Sequence, residues 1–98
     1  MTPVDILSPA QVEIADATTY YDERSPDAAL GFLAALDNAV DLLAENPYLG
    51  HPTRFGARTL TLQDYPFDLV YRLHQGRVVI DAVAHHRREP WYWADRMQ

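Results

Sequence analysis

Between Ala84 and Trp93 the chain reads AHHRREPWYW, which sets His85, His86, Arg87, Arg88 and Tyr92 within one short stretch. Histidine, arginine and tyrosine are side chains that metal-independent cleavage of an RNA phosphodiester can use. That reaction needs a base beside the ribose 2′-hydroxyl, cations on the phosphate and an acid for the leaving oxygen. Arg72, His85, Arg87 and Tyr92 are the candidate set, provided they converge on one face of a sheet. A plainer alternative pairs Arg72 diagonally with Asp81 and leaves Arg87 and Arg88 in solvent or against a partner's carboxylates. Trp91, Tyr92 and Trp93 read as a lid over the sheet or a rim for a protein partner, in preference to a platform for stacked bases.

Other chemistries have less support. Adjacent residues on a strand point to opposite faces, so His85 and His86 cannot share one ion. The chain has no cysteine, and His51 and His74 lack the spacing of an HExxH site. No metal is expected. Ser8 and Ser25 are the only serines and both suit helix caps better than nucleophilic roles. Without a P-loop, GxGxxG or GxSxG pattern, no cofactor is expected either.

The elements that must hold these side chains follow from pattern. A short strand spans Val4 to Leu7. Ser8-Pro9 and Ser25-Pro26 each open a helix, placing helices over roughly Pro9–Glu23 and Pro26–Glu45 with a tight turn between them. The second helix carries an apolar stripe at Ala29, Phe32, Leu33, Leu36, Val40 and Leu43; the first offers a weaker one at Val12, Ala15, Thr19 and Tyr20-Tyr21. Leu49 to Gly56 reads as an exposed loop. Strands follow over Ala57–Leu62, Phe67–His74 and Arg77–His85, the last two joined by a Gln75-Gly76 turn.

So short a turn fixes a register: Leu73 opposite Val78, Arg72 opposite Val79, Tyr71 opposite Ile80, Val70 opposite Asp81. One face then carries Phe67, Leu69, Tyr71, Leu73, Val78, Ile80, Ala82 and Ala84 and must cover the helices. The other carries Asp68, Val70, Arg72, His74, Arg77, Val79, Asp81, Val83, His85 and, if the strand continues, Arg87, a mixture that suits contact with a partner. On this register His86 turns toward the helices. Pro90 starts a last helical turn. The expected architecture is α+β, with a helical hairpin on one face of an antiparallel sheet in the order β-α-α-β-β-β, one domain over residues 1–98.

Composition narrows the partners. The net charge is −6, which disfavours nucleic-acid binding through a broad basic surface. The charge is divided: the first 50 residues carry nine acids and only Arg24, and the rest carry seven arginines and five acids. Every cation is arginine, which suits bidentate pairing, although base composition of the genome can produce the same bias. No apolar run approaches the ~20 residues of a membrane span, and no secretory leader is recognisable, so a soluble cytoplasmic protein is expected.

Several phrases carry a resemblance. Tyr20-Tyr21 at the end of the first helix, LLAENPYLGHP from Leu42 to Pro52, the FDLVYRL strand and the HHRREP ending resemble the ParE/RelE toxins of bacterial type II toxin–antitoxin systems, over about Val4 to Pro90. The resemblance implies a cognate antitoxin whose flexible C-terminal segment wraps the toxin while its N-terminal part binds operator DNA. Toxin contact with DNA would be through the antitoxin alone, in a toxin–antitoxin hetero-oligomer. RelE-like members cut messenger RNA on the ribosome; ParE-like members inhibit DNA gyrase.

Position by position, the ParE-like branch fits better. Asp68 stands where RelE-like nucleases hold an arginine, the preceding strand keeps only Arg58, and lysines are absent, although Arg87 and Tyr92 or Trp93 match nuclease positions. The reading is a non-enzymatic toxin that binds a protein target, gyrase being the implied one, through Arg58, Arg72, Arg87 and Arg88. A ribosome-dependent endoribonuclease and a relative that keeps only antitoxin binding are the alternatives.

Overall fold

Ser25 divides the helical half of the chain. A computed structural model describes residues 1–97. In it α1 runs Ser8–Arg24 and α2 runs Pro26–Glu45. Between them Ser25 is extended at φ −163°; its amide donates to Tyr21 O at 2.8 Å and its hydroxyl accepts from the Ala28 amide at 3.4 Å. One residue therefore ends one helix and caps the next, which folds the pair into a hairpin. Ser8 is not a cap. Leu7 takes that position without a side-chain bond, and Gln11 Nε2 donates back to Ile6 O at 2.8 Å instead.

The second helix buries Ala29, Phe32, Leu36, Ala39 and Leu43, the three- and four-residue spacing of its stripe. The first helix differs from expectation. Val12, Ala15 and Thr19 face solvent, and the inward residues are Ala10, Ile14, Ala17 and Tyr21. Two buried alanines let α1 approach its neighbours closely, a geometry that side-chain size rather than hydrophobicity selects.

The sheet has five strands in the order β1-β5-β4-β3-β2: β1 Val4–Ile6, β2 His51–Pro52, β3 Arg58–Thr61, β4 Phe67–His74 and β5 Arg77–His85. It is mixed rather than wholly antiparallel, because β1 lies parallel to β5 with Val4 beside Val78 and Ile6 beside Ile80. Two residues of the expected loop, His51 and Pro52, add an edge strand beside β3. The β4–β5 turn is as short as the sequence implies. Gln75 and Gly76 both take positive φ, 51° and 77°, as a two-residue hairpin with the right twist requires.

The expected register holds from His74–Arg77 to Tyr71–Ile80 and then breaks. Val70 faces Ala82, not Asp81, so Asp81 is the extra residue of a β-bulge. The insertion reverses the side-chain parity beyond it. Val83 and His85 turn to the helices, whereas Ala82, Ala84 and His86 turn away, the opposite of the sequence-derived assignment. The strand ends at His85 and does not extend to Arg87.

Between helices and sheet lies the main core, with Phe32, Leu43, Leu69, Tyr71, Val78 and Ile80 essentially inaccessible. Each such side chain stabilises the fold by about 1.5–3 kcal/mol. At one end Tyr21, Phe32, Tyr65 and Phe67 stack at ring separations of 5.2 to 6.4 Å. The opposite face of the sheet is not left open. Trp93 seals onto Ala57, Val70 and Ala82, held by a C-terminal segment that ends in a 3-10 turn at Ala94–Arg96. Among the described residues no helix is long and apolar enough to cross a membrane.

Candidate functional site

Asp81 lies at the bulge, on the face of the sheet away from the helices, with its side chain wholly buried. Arg72 on β4 meets it, Nε 3.0 Å from Oδ2 and 3.3 Å from Oδ1. Burial pushes the Asp81 carboxyl above the ordinary carboxylate range, opposed by Arg72 and Arg96. The pair occupies Arg72 with a structural task and realises the diagonal pairing that the sequence suggests.

Among the described residues no strand lies beside the outer edge of β5 beyond Ile80, and an acid from α1 closes it. Glu13 Oε1 accepts the Val83 amide at 2.9 Å, and Oε2 accepts the Tyr92 hydroxyl at 2.6 Å. Arg96 completes the knot, reaching Glu13 Oε1 at 3.1 Å and Asp81 O at 3.0 Å. Burial and the neighbouring Glu13 push the Tyr92 hydroxyl far above its ordinary value. This network protects an edge that would otherwise offer free backbone groups. Glu13 and Arg96 are the residues sequence reasoning missed. The available signal was an acid set on the inward side of α1, between Ala10 and Ala17.

The four side chains of the phosphodiester reading are thus dispersed. Arg72 binds Asp81 on the face away from the helices. His85 lies on the helix side, its ring edge-on to Phe67 at 5.0 Å and its Nδ1 accepting the Arg87 amide at 3.0 Å. Tyr92 is directed at Glu13. Arg87 lies past the strand in an exposed turn, its guanidinium without a partner among the described residues.

The proposed partner-binding arginines are dispersed as well. Arg58 is in register with Tyr71 and shares its helix-side face, opposite to Arg72. Its Nη1 donates to Tyr48 O at 3.2 Å and to Gly50 O at 2.8 Å. Arg88 lies 3.8 Å over the Tyr92 ring and 3.6 Å from Glu89. Asp68 accepts from Thr61 Oγ1 at 2.7 Å and lies 3.0 Å from His86 Nε2.

Two concavities flank the C-terminal segment. One of about 320 Å3 runs between α1 and β5, its floor made by Ala17, Tyr21, Phe67 and Val83 and its rim by Asp16 and Arg88. The other, about 430 Å3, opens on the far face beside Asp68, His86, Trp91 and Trp93. Next to it Phe55 and Trp91 both hold positive φ, 62° and 65°, with rings edge to face at 6.3 Å. Among the described residues no cluster of three or more His, Asp or Glu side chains is disposed to hold a metal ion.

Comparison with known proteins agrees with this architecture. A protein described as "Putative toxin Y4kP", from Sinorhizobium fredii (strain NBRC 101917 / NGR234), is 35% identical over 72 residues, 72% of this chain and 75% of the relative. A solved structure, "Chromosomal ParDE TA system from P. aeruginosa", superposes with a TM-score of 0.77 at 22% identity, over 87% of this chain and 96% of that one, which shows a shared fold. The family described as "ParE toxin of type II toxin-antitoxin system, parDE" matches residues 4–90. The chain belongs to the ParE family of type II toxin–antitoxin toxins.

Proposed function

We propose that this protein arrests growth by binding a folded protein target, with DNA gyrase the candidate, and that a cognate antitoxin neutralises it. The observation that carries the reading is the dispersal of Arg72, His85, Arg87 and Tyr92. Arg72 is spent on the buried carboxylate of Asp81 and Tyr92 on the partly buried one of Glu13, and His85 is turned to the helix side. General acid–base chemistry needs its groups within hydrogen-bond reach of one substrate; His85 and Tyr92 border one cavity, but Arg72 and Arg87 do not line it. Binding a protein needs no such convergence. The groove between α1 and β5 supports the second half of the reading, since an unfolded antitoxin tail gains affinity by burying side chains in grooves. In this reading the protein works in the cytoplasm and meets operator DNA only through its antitoxin.

The test is a pair of assays on the purified chain. Supercoiling by purified gyrase is expected to stop at concentrations that arrest growth, and ribosome-bound messenger RNA to stay intact. Codon-positioned cleavage with unimpeded supercoiling would replace this reading with the nuclease one.

A further inference from the structure

The loop Asn46–Gly50 is pinned to an unusual degree for an exposed connection. The Asn46 amide donates to Leu42 O at 2.9 Å, the Tyr48 amide to Asn46 Oδ1 at 3.2 Å and the Leu49 amide to Asn46 O at 3.1 Å. Tyr71, buried in the sheet, donates its hydroxyl proton to Pro47 O at 2.8 Å and accepts the Gly50 amide at 2.9 Å. Arg58 takes the Tyr48 and Gly50 carbonyls. Gly50 is packed so tightly that a Cβ would lie 2.7 Å from Thr59 O and from the Tyr71 hydroxyl. Yet the side chains this frame presents are apolar and exposed: Tyr48 is 67% and Leu49 41% accessible. The Arg58 guanidinium lies 5.1 Å from the Tyr48 ring, and its Nε and Nη2 have no acceptor among the described residues.

We infer that this loop is the element that docks into the target, with Tyr48 and Leu49 as anchors and Arg58 as the cation beside them. The inference rests on the reading that the target is a folded protein. The chemistry of the frame selects that partner class. A flexible tail that pairs as a strand needs free backbone N–H and C=O groups, and here nearly all of them are consumed. Recognition must run through side chains, and exposed side chains on a fixed frame fit a preformed cavity. The complementary surface is an apolar pocket with a carboxylate at its edge, placed to take the free side of the Arg58 guanidinium. Tyrosine and arginine are the residue types that concentrate binding energy, and a frame rigid before binding has less conformational freedom to lose.

The experiment compares the wild-type chain with Tyr48→Ala/Leu49→Ser, both expressed without antitoxin, with near-UV circular dichroism and the urea midpoint confirming an intact fold. Growth arrest by the double variant is expected to be lost, and its affinity for purified gyrase to fall about tenfold or more. Tyr48→Phe is expected to retain most of both. Unchanged growth arrest by a folded double variant overturns the inference. If wild-type chain leaves gyrase untouched while the folded double variant no longer arrests growth, the docking loop stands and gyrase is the wrong target. A wild-type chain that arrests nothing overturns both.

Discussion

Arg72 and Asp81 form an ion pair across β4 and β5, Nε to Oδ2 3.0 Å, in which the aspartate is wholly buried and is the residue that the bulge inserts. A charge in that position is tolerated only while its partner stays. Arg72→Ala should cost about 3–5 kcal/mol, a large part of the about 5–15 kcal/mol that holds a typical domain together. Arg72→Met with Asp81→Leu should recover most of the loss, because neither change then strands a buried charge. Urea denaturation of Arg72→Met, Asp81→Leu and the double variant closes the cycle. Additive losses would mean the pair is not coupled.

Glu13 ties the C-terminal segment to α1 and to the edge of β5, and both tryptophans of the chain, Trp91 and Trp93, lie in that segment. Tryptophan emission, excited where the six tyrosines do not absorb, therefore reports on this segment. Glu13→Ala strands the Val83 amide and the Tyr92 hydroxyl at about 1–3 kcal/mol for a buried group left unmade. The emission maximum should shift to the red and become open to quenching by acrylamide before far-UV circular dichroism changes. A blue, protected emission from the variant would show that Trp93 needs no such tie.

Tyr71 is both donor and acceptor to the loop, so Tyr71→Phe removes two bonds with little change in volume. A destabilisation of about 1–3 kcal/mol is expected, read as a fall in melting temperature of about 4–8 °C per kcal/mol for a domain of this size. Gly50→Ala should be at least as damaging, since the contacts a Cβ would meet include the backbone of Thr59. Wild-type melting for either variant would show that the loop is held by something else.

Burial raises the hydroxyl pKa of Tyr71, Tyr21 and Tyr92 above the ordinary 10.0. The folded state therefore keeps protons that the unfolded chain releases. The resulting stability is complete below about pH 10 and is lost as pH rises from there through the folded values, at up to about 1.4 kcal/mol per pH unit for Tyr71. The urea midpoint should be level to about pH 9 and fall beyond it, less steeply in Tyr71→Phe. An equal slope in the two proteins would remove Tyr71 from the account.

Much of the frame was legible because it follows local rules. The Gln75-Gly76 turn fixed both strand ends, and the stripe of α2 named its buried face. What escaped was non-local. No glycine or proline marks Asp81 as an insertion, so the register read from the turn carried the wrong parity to His85 and His86. The inward face of α1 is built on alanine, which hydrophobicity ranks below the exposed Val12. Glu13 and Arg96 meet only after folding, across 83 residues of chain. The dispersal of the four candidate arginines follows from the same causes: Arg58 and Arg72 are assigned to opposite faces by pairing partners, not by their own identity.

β1 is made first and lies against β5, made last among the strands, with Val4 beside Val78. Closing that pairing orders most of the chain before any contact rewards it, so this sheet should fold late and comparatively slowly. A nascent chain interrupted before β5 lacks the strand that joins β1 to β4, and β1 is left without a neighbour. Products truncated before β5 should therefore be unfolded, and the growth arrest proposed above should arise all at once, when β5 joins the sheet.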